Sequence, residues 1–142
     1  MLVFRSPTRY AGLLVGMLVA LLLVTSSYAE GSWSSYLSVV HPNFESRDWY
    51  DSNSDSVSTS ITLQGCSTNP YSGSPNTLVD LYRHIPWWPD DLVGSGLLYC
   101  GWSDTHYYGD VQSGTYHFEI EAINGQHSGS ISLNANYVGV SY

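Results

Sequence analysis

The segment 51–55, Asp-Ser-Asn-Ser-Asp, places an oxygen-bearing side chain at every second position. Calcium takes about six to eight hard oxygen ligands, and side chains two residues apart in a loop can converge on one ion. The candidate calcium ligands are Asp51, Asn53 and Asp55. An EF-hand loop would have glycine in place of Ser56 and glutamate in place of Thr62. The pattern therefore favours a polar turn before a strand, with calcium as the alternative.

The segment 86–91, Pro-Trp-Trp-Pro-Asp-Asp, carries two tryptophans between two prolines. Because proline fixes φ, both indoles lie on a stiff connection between apolar runs. Rigid aromatic side chains beside carboxylates suit stacking on sugar rings or anchoring in a protein interface. The alternative is that the indoles fold back as a lid over one end of a small core. A second and a third aromatic doublet, Tyr107-Tyr108 and Trp49-Tyr50, are also expected in loops. The predicted ligand contacts are Trp87, Trp88, Tyr107 and Tyr108.

His117, Glu119 and Glu121 alternate along one predicted strand, which places their side chains on one face about 7 Å apart. A histidine and two carboxylates can hold a divalent metal. The same pattern is typical of a solvated strand face, and that is the interpretation we favour.

Cys66 and Cys100 are the two cysteines of the chain. Their spacing is neither that of a redox CxxC motif nor that of a zinc knuckle. In an exported protein such a pair is oxidised, so we predict a structural disulfide. Closing a loop of about 35 residues stabilises a fold by roughly 3–4 kcal/mol in the chain-entropy description.

Signatures of catalysis are missing from the sequence. It has no G-x-S-x-G elbow, no H-E-x-x-H motif and no glycine-rich turn with a lysine that could cradle phosphate. We therefore expect a protein that is not an enzyme and has no cofactor other than the calcium alternative. A glycoside hydrolase with paired carboxylates stays open, since the chain is rich in Asp and Glu.

Residues 1–29 have the pattern of a secretory signal peptide. Arg5 and Arg9 precede the apolar run 11–24, and the small residues Ser27 and Ala29 form a cleavage site. The apolar run would span about 21 Å as a helix, less than the roughly 30 Å of a bilayer core. We predict a signal peptide at 1–29 and a single secreted domain at 30–142, with no membrane attachment after cleavage.

The composition restricts both the partners and the fold. The chain has a formal charge of −8 and no lysine, which argues against nucleic acid and anionic membranes as partners. Residues 30–142 contain few strong helix formers and many Ser, Tyr, Val, Ile and Thr, which favour strands and turns.

Alternation of apolar and polar residues locates the strands. The predicted runs are 37–40, 57–64, 78–84, 97–100, 115–123 and 131–142. Asn124-Gly125 predicts a two-residue hairpin turn that returns the chain through Ile131, Leu133, Ala135 and Tyr137, all facing inward. The alternation then shifts to Val138 and Val140, which predicts a bulge near Asn136. Six or seven such strands without a helical crossover indicate an all-β fold, an antiparallel β-sandwich.

The segments Gly114-Thr-Tyr-x-Phe-x-Ile and Val138-x-Val-x-Tyr resemble the last strands of immunoglobulin-like or fibronectin-like secreted domains. The resemblance implies only the sandwich architecture, because the two cysteines are too close together for an immunoglobulin domain and no tryptophan follows the first at core spacing.

The sequence therefore predicts a secreted, non-catalytic β-sandwich that binds an extracellular glycan or a protein partner. Calcium-assisted carbohydrate binding is one alternative. A secreted effector, toxin or inhibitor on a disulfide-stapled scaffold is another.

Overall fold

The computed structural model describes residues 30–142, and the predicted signal peptide at 1–29 lies outside the described residues. The described part contains nine strands. Their bounds are Ser32–Val40 (β1), Phe44–Glu45 (β2), Trp49–Asp51 (β3), Ser60–Asn69 (β4), Thr77–Arg83 (β5), Asp91–Leu98 (β6), Ser103–Tyr107 (β7), Gly114–Ile123 (β8) and Ser132–Ser141 (β9). Residues 30–142 have no helix that could cross a bilayer.

The strands form two antiparallel sheets that face each other. The first sheet has the order β1-β9-β4-β7, and the second has the order β6-β5-β8, with β2 and β3 both pairing with the outer edge of β8. Alternate residues of the longer strands are buried between the sheets, among them Ile61, Leu63, Val79 and Leu81. The predicted antiparallel β-sandwich is thus confirmed, and three of its strands, β2, β3 and β7, lie outside the predicted runs.

An aromatic cluster fills the core at the edge formed by β1 and β3. Trp33 stacks on Phe118 with 6.2 Å between ring centroids and meets Trp49 edge-on at 6.0 Å. Trp49 in turn packs on Tyr116 at 6.3 Å. The expectation that Trp49 lies in a loop was therefore wrong. Its side chain is 5% exposed, because β3 pairs with the start of β8 and turns the indole inward.

The Asn124-Gly125 turn forms as predicted, but the hairpin does not. Both residues have positive φ, and Ile123 and Gln126 exchange backbone hydrogen bonds of 2.9 and 3.0 Å across them. The chain then crosses to the other sheet, where β9 pairs with β1 and β4 instead of β8. The turn binds the β4–β5 connection, since the amide of Asn76 donates to Oδ1 of Asn124 at 3.0 Å.

The predicted bulge near Asn136 is present. Ala135 and Val138 are both buried, while Asn136 and Tyr137 between them are exposed. Tyr137 therefore faces outward, contrary to the prediction, because the parity changes one residue before it. Gly65 lies opposite the bulge with φ of +61°, and a Cβ there would sit 2.5 Å from Nδ2 of Asn136. Only glycine fits this close approach.

Candidate functional site

The predicted disulfide joins Cys66 of β4 to Cys100 in the turn between β6 and β7. The turn is also held by two backbone hydrogen bonds. The amide of Cys66 donates to the carbonyl of Cys100 at 2.7 Å, and the amide of Gly65 donates to the carbonyl of Trp102 at 2.8 Å. The β6–β7 turn is thereby fixed against the middle of the first sheet.

The disulfide lies beside a groove lined by three exposed aromatic side chains. Tyr71 is 83% exposed, Tyr99 57% and Trp102 92%, and all three border one cavity of about 410 Å³. The remaining lining residues are Cys66, Ser72, Gly73, Ser74, Pro75 and Gly101. This aromatic groove, as we call it, therefore has no charged side chain in its lining and has two serine hydroxyls beside the rings.

The backbone around the aromatic groove is anchored on both sides. The amide of Tyr99, just after β6, donates to Oδ2 of Asp104 in β7 at 2.8 Å, and this bond closes the β6–β7 turn. On the opposite wall, Oγ1 of Thr68 donates to the carbonyl of Pro70 at 3.0 Å, next to Tyr71. Because the backbone is held at both walls, the rings can meet a ligand with little loss of backbone entropy.

Sequence reasoning missed the aromatic groove, although a signal for it was available. Tyr99 and Trp102 flank Cys100, and Tyr71 follows Cys66 by five residues. A disulfide between these cysteines brings the aromatic residues near them together. The predicted disulfide alone could therefore have indicated a shared aromatic surface.

The predicted contacts Trp87 and Trp88 lie in the connection between β5 and β6. Trp87 is 100% exposed and Trp88 is 75% exposed, so neither forms the lid that was the alternative. The loop is shaped by Asp90, whose Oδ1 accepts the amide of Ile85 at 3.2 Å and lies 3.1 Å from Nδ1 of His84. The indoles thus stand in solvent on a loop with internal hydrogen bonds.

Tyr107 and Tyr108 point in different directions at the end of β7. Tyr107 is 66% exposed. Tyr108 turns inward, where its hydroxyl donates to the carbonyl of Val79 at 2.9 Å and its ring meets His106 edge-on at 4.8 Å. Burial and, secondarily, the charge of Asp80 raise the pKa of its phenol. Tyr108 is therefore half-buried and packed against the core, whereas Tyr107 is exposed.

The aromatic groove and the tryptophan loop lie at opposite ends of the sandwich. The loop that carries Tyr71 precedes β5, and the loop that carries Trp87 follows it. The length of β5 separates the two by about 20 Å at roughly 3.4 Å per residue. One small ligand cannot contact both surfaces.

The candidate calcium ligands are placed in hydrogen-bonded turns. Oδ1 of Asp51 accepts the amide of Asn53 at 2.8 Å, and its Oδ2 accepts Oγ1 of Thr59 at 3.2 Å. Oδ1 of Asp55 accepts the amide of Val57 at 2.7 Å. Asp51 is 5% exposed, so both its oxygens serve the loop. These are the contacts of the polar turn that the sequence favoured.

The face that carries His117, Glu119 and Glu121 is less solvated than predicted. His117 is 8% exposed and stacks on Tyr82 of β5 with ring centroids 5.6 Å apart. Burial, with further contributions from Glu121, Glu45 and Asp80, raises the pKa of Glu119. Within residues 30–142 no three His, Cys, Asp or Glu side chains are grouped closely enough to hold a metal ion.

The chain matches no protein-family model and no curated protein sequence.

Proposed function

We propose that residues 30–142 form a secreted, non-catalytic binding module that recognises a neutral glycan through the aromatic groove. The observation that supports this most directly is the combination of three exposed rings around one concave cavity of about 410 Å³ with an uncharged lining.

A sugar ring matches this chemistry. The C–H face of a pyranose is apolar and slightly positive, and it is attracted to the negative face of an aromatic ring. Sugar hydroxyls can exchange hydrogen bonds with the Ser72 and Ser74 hydroxyls that line the cavity. Binding sites of this kind combine aromatic walls with a few polar groups that set orientation.

The charge of the domain supports a neutral ligand. Arg47 and Arg83 are the two cationic Arg or Lys residues of 30–142, against twelve Asp and Glu. Neither arginine lines the aromatic groove. An anionic polysaccharide would be repelled by the surface field and would meet no cation in the groove.

The test is a screen of neutral oligosaccharides followed by titration calorimetry of the best ligand. The groove variant is Tyr99→Ala/Trp102→Ala, and the matched control is Trp87→Ala/Trp88→Ala, which removes two exposed aromatics at the other end. We expect the groove variant to weaken binding by about tenfold or more, the loss typical of truncated aromatic anchors, and the control to bind like wild type. Equal affinities for wild type and the groove variant would contradict the proposal.

A second candidate surface is the tryptophan loop, as the anchor for a protein partner. Full exposure of Trp87 is the observation that favours it, because rigid, exposed indoles often anchor protein interfaces. The same pair of variants distinguishes the surfaces. A partner that binds through the loop loses affinity for Trp87→Ala/Trp88→Ala and keeps it for the groove variant. Unchanged binding to the loop variant removes this candidate.

A further inference from the structure

A second concave surface lies between the sheets, where β1 and β2 leave the sandwich open at one edge. Its lining combines apolar side chains from four strands with Ser34, Ser35, Tyr36, Ser46 and Arg47, and its volume is about 180 Å³. The apolar lining residues are Trp33, Leu37, Phe44, Phe118 and Val138. Because Trp33 stacks on Phe118 there, the open space of this interlayer cavity lies beside this pair and next to Phe44.

The interlayer cavity has one cationic residue in its lining. Arg47 lines it, and Cζ of Arg47 lies 4.3 Å from the centroid of the Trp33 ring. Arg47 makes no ion pair within 4.0 Å with any carboxylate of residues 30–142, whereas Arg83 pairs with Asp91 at 3.0 Å. Stacking on the indole orients the guanidinium and leaves its N–H fork without an acidic partner.

A buried donor at the same place also lacks a partner. Nε1 of Trp33 is inaccessible to solvent and has no hydrogen-bond acceptor in the described structure. A buried N–H without an acceptor costs about 1–3 kcal/mol, and buried indole N–H groups usually find one. The residues of the cavity thus combine apolar side chains, an unpaired guanidinium and, on Trp33, an unsatisfied indole N–H.

We propose that the interlayer cavity binds a small aromatic carboxylate, with the ring against the apolar lining residues and the carboxylate on Arg47. A cavity of this volume suits one ring, since an apolar protein cavity of about 150 Å³ holds benzene. Arg47 is the group that selects a carboxylate, because a guanidinium can donate two parallel hydrogen bonds to it. The site is independent of the aromatic groove and of its glycan.

The test is an NMR titration of the wild-type domain with benzoate and, in parallel, with benzamide, its uncharged analogue. Benzoate is expected to saturate and to move the indole N–H resonance of Trp33, which Trp33→Phe assigns. Benzamide is expected to bind about tenfold more weakly, since it forfeits the charge-assisted hydrogen bonds. Absence of saturable benzoate binding at millimolar concentration, or equal binding of both probes, overturns the proposal.

The residue-specific variant is Arg47→Met, which keeps an apolar stem over the indole and removes the charge. It is expected to bind benzoate about tenfold more weakly or worse, while Arg83→Met, which removes the arginine paired with Asp91, binds like wild type. Thermal melting establishes that each variant is folded. Benzoate binding that survives Arg47→Met unchanged contradicts the assigned role, and the benzamide comparison stands whether or not the variant folds.

Discussion

Breaking the disulfide is the perturbation whose effect can be worked out most fully. The bond links residues 34 apart in sequence, and both half-cystines are buried, Cys66 at 8% and Cys100 at 0% exposure. Two independent changes remove it. Reduction leaves the sequence intact, and Cys66→Ser/Cys100→Ser removes the sulfur chemistry as well.

The expected magnitude follows from the loop that the bond closes. For a loop of about 35 residues the chain-entropy expression gives about 4 kcal/mol at 25 °C. Residues 30–142 should unfold with an entropy of roughly 0.24 kcal/mol per kelvin near the midpoint, so the melting temperature should fall by about 15 °C. The melting temperature of the double serine variant should fall at least as far, because two hydroxyls then occupy sites that are buried from water.

The assay is thermal and urea denaturation of the oxidised, the reduced and the double serine proteins, with free thiols counted to confirm full reduction. A fall of less than about 4 °C on reduction, corresponding to about 1 kcal/mol, would refute the loop-closure reasoning. A large fall in the serine variant together with a small one on reduction would assign the effect to the hydroxyls and not to the loop.

Three further predictions concern the strand packing, the acid limb of stability and the calcium alternative. Gly96→Ala places a Cβ 2.3 Å from Cγ of His106, so we expect its free energy of unfolding in urea to fall by about 1–3 kcal/mol. The control Gly73→Ala meets nothing within 4 Å, and its free energy of unfolding should stay within about 0.5 kcal/mol of wild type. Equal values for the two variants would contradict the packing argument. Hydrogen bonds from Ser52 and Ser54 lower the pKa of Glu30 to about 2. The stability that Glu30 contributes is therefore complete above its unfolded pKa, near 4.5, and is lost as pH falls toward 2. In Glu30→Gln the free energy of unfolding should decline less steeply over that pH interval, and an unchanged decline would be evidence against the contact. Melting curves in millimolar calcium and in chelator should coincide, because both oxygens of Asp51 already accept hydrogen bonds from the loop. A higher melting temperature in calcium would support the metal site instead, since an ion that binds the native state stabilises it by mass action.

Much of the fold could be predicted, because the alternation of apolar and polar residues within a strand decides which of its side chains face the core. Ile61, Leu63, Phe118 and Ile120 are the alternate apolar residues of the predicted runs 57–64 and 115–123, and all four are buried. The site was harder to predict, since exposure depends on neighbours. Tyr108 occupies the space left by the glycine at 94, where a Cβ would lie 3.3 Å from the Tyr108 ring. Nothing near Tyr108 in the sequence distinguishes it from Tyr107.

The sequence by itself determined the class of fold, the turn at Asn124-Gly125, the bulge near Asn136 and the pairing of its two cysteines. Each of these depends on local backbone preference, on residue parity or on having a single possible partner. Only the tertiary structure decided which strands are neighbours, because alternation assigns a face to a strand but not a sheet. For the same reason it alone brought Arg47 over Trp33, a contact between segments of different sheets that approach only when the two sheets close on one core.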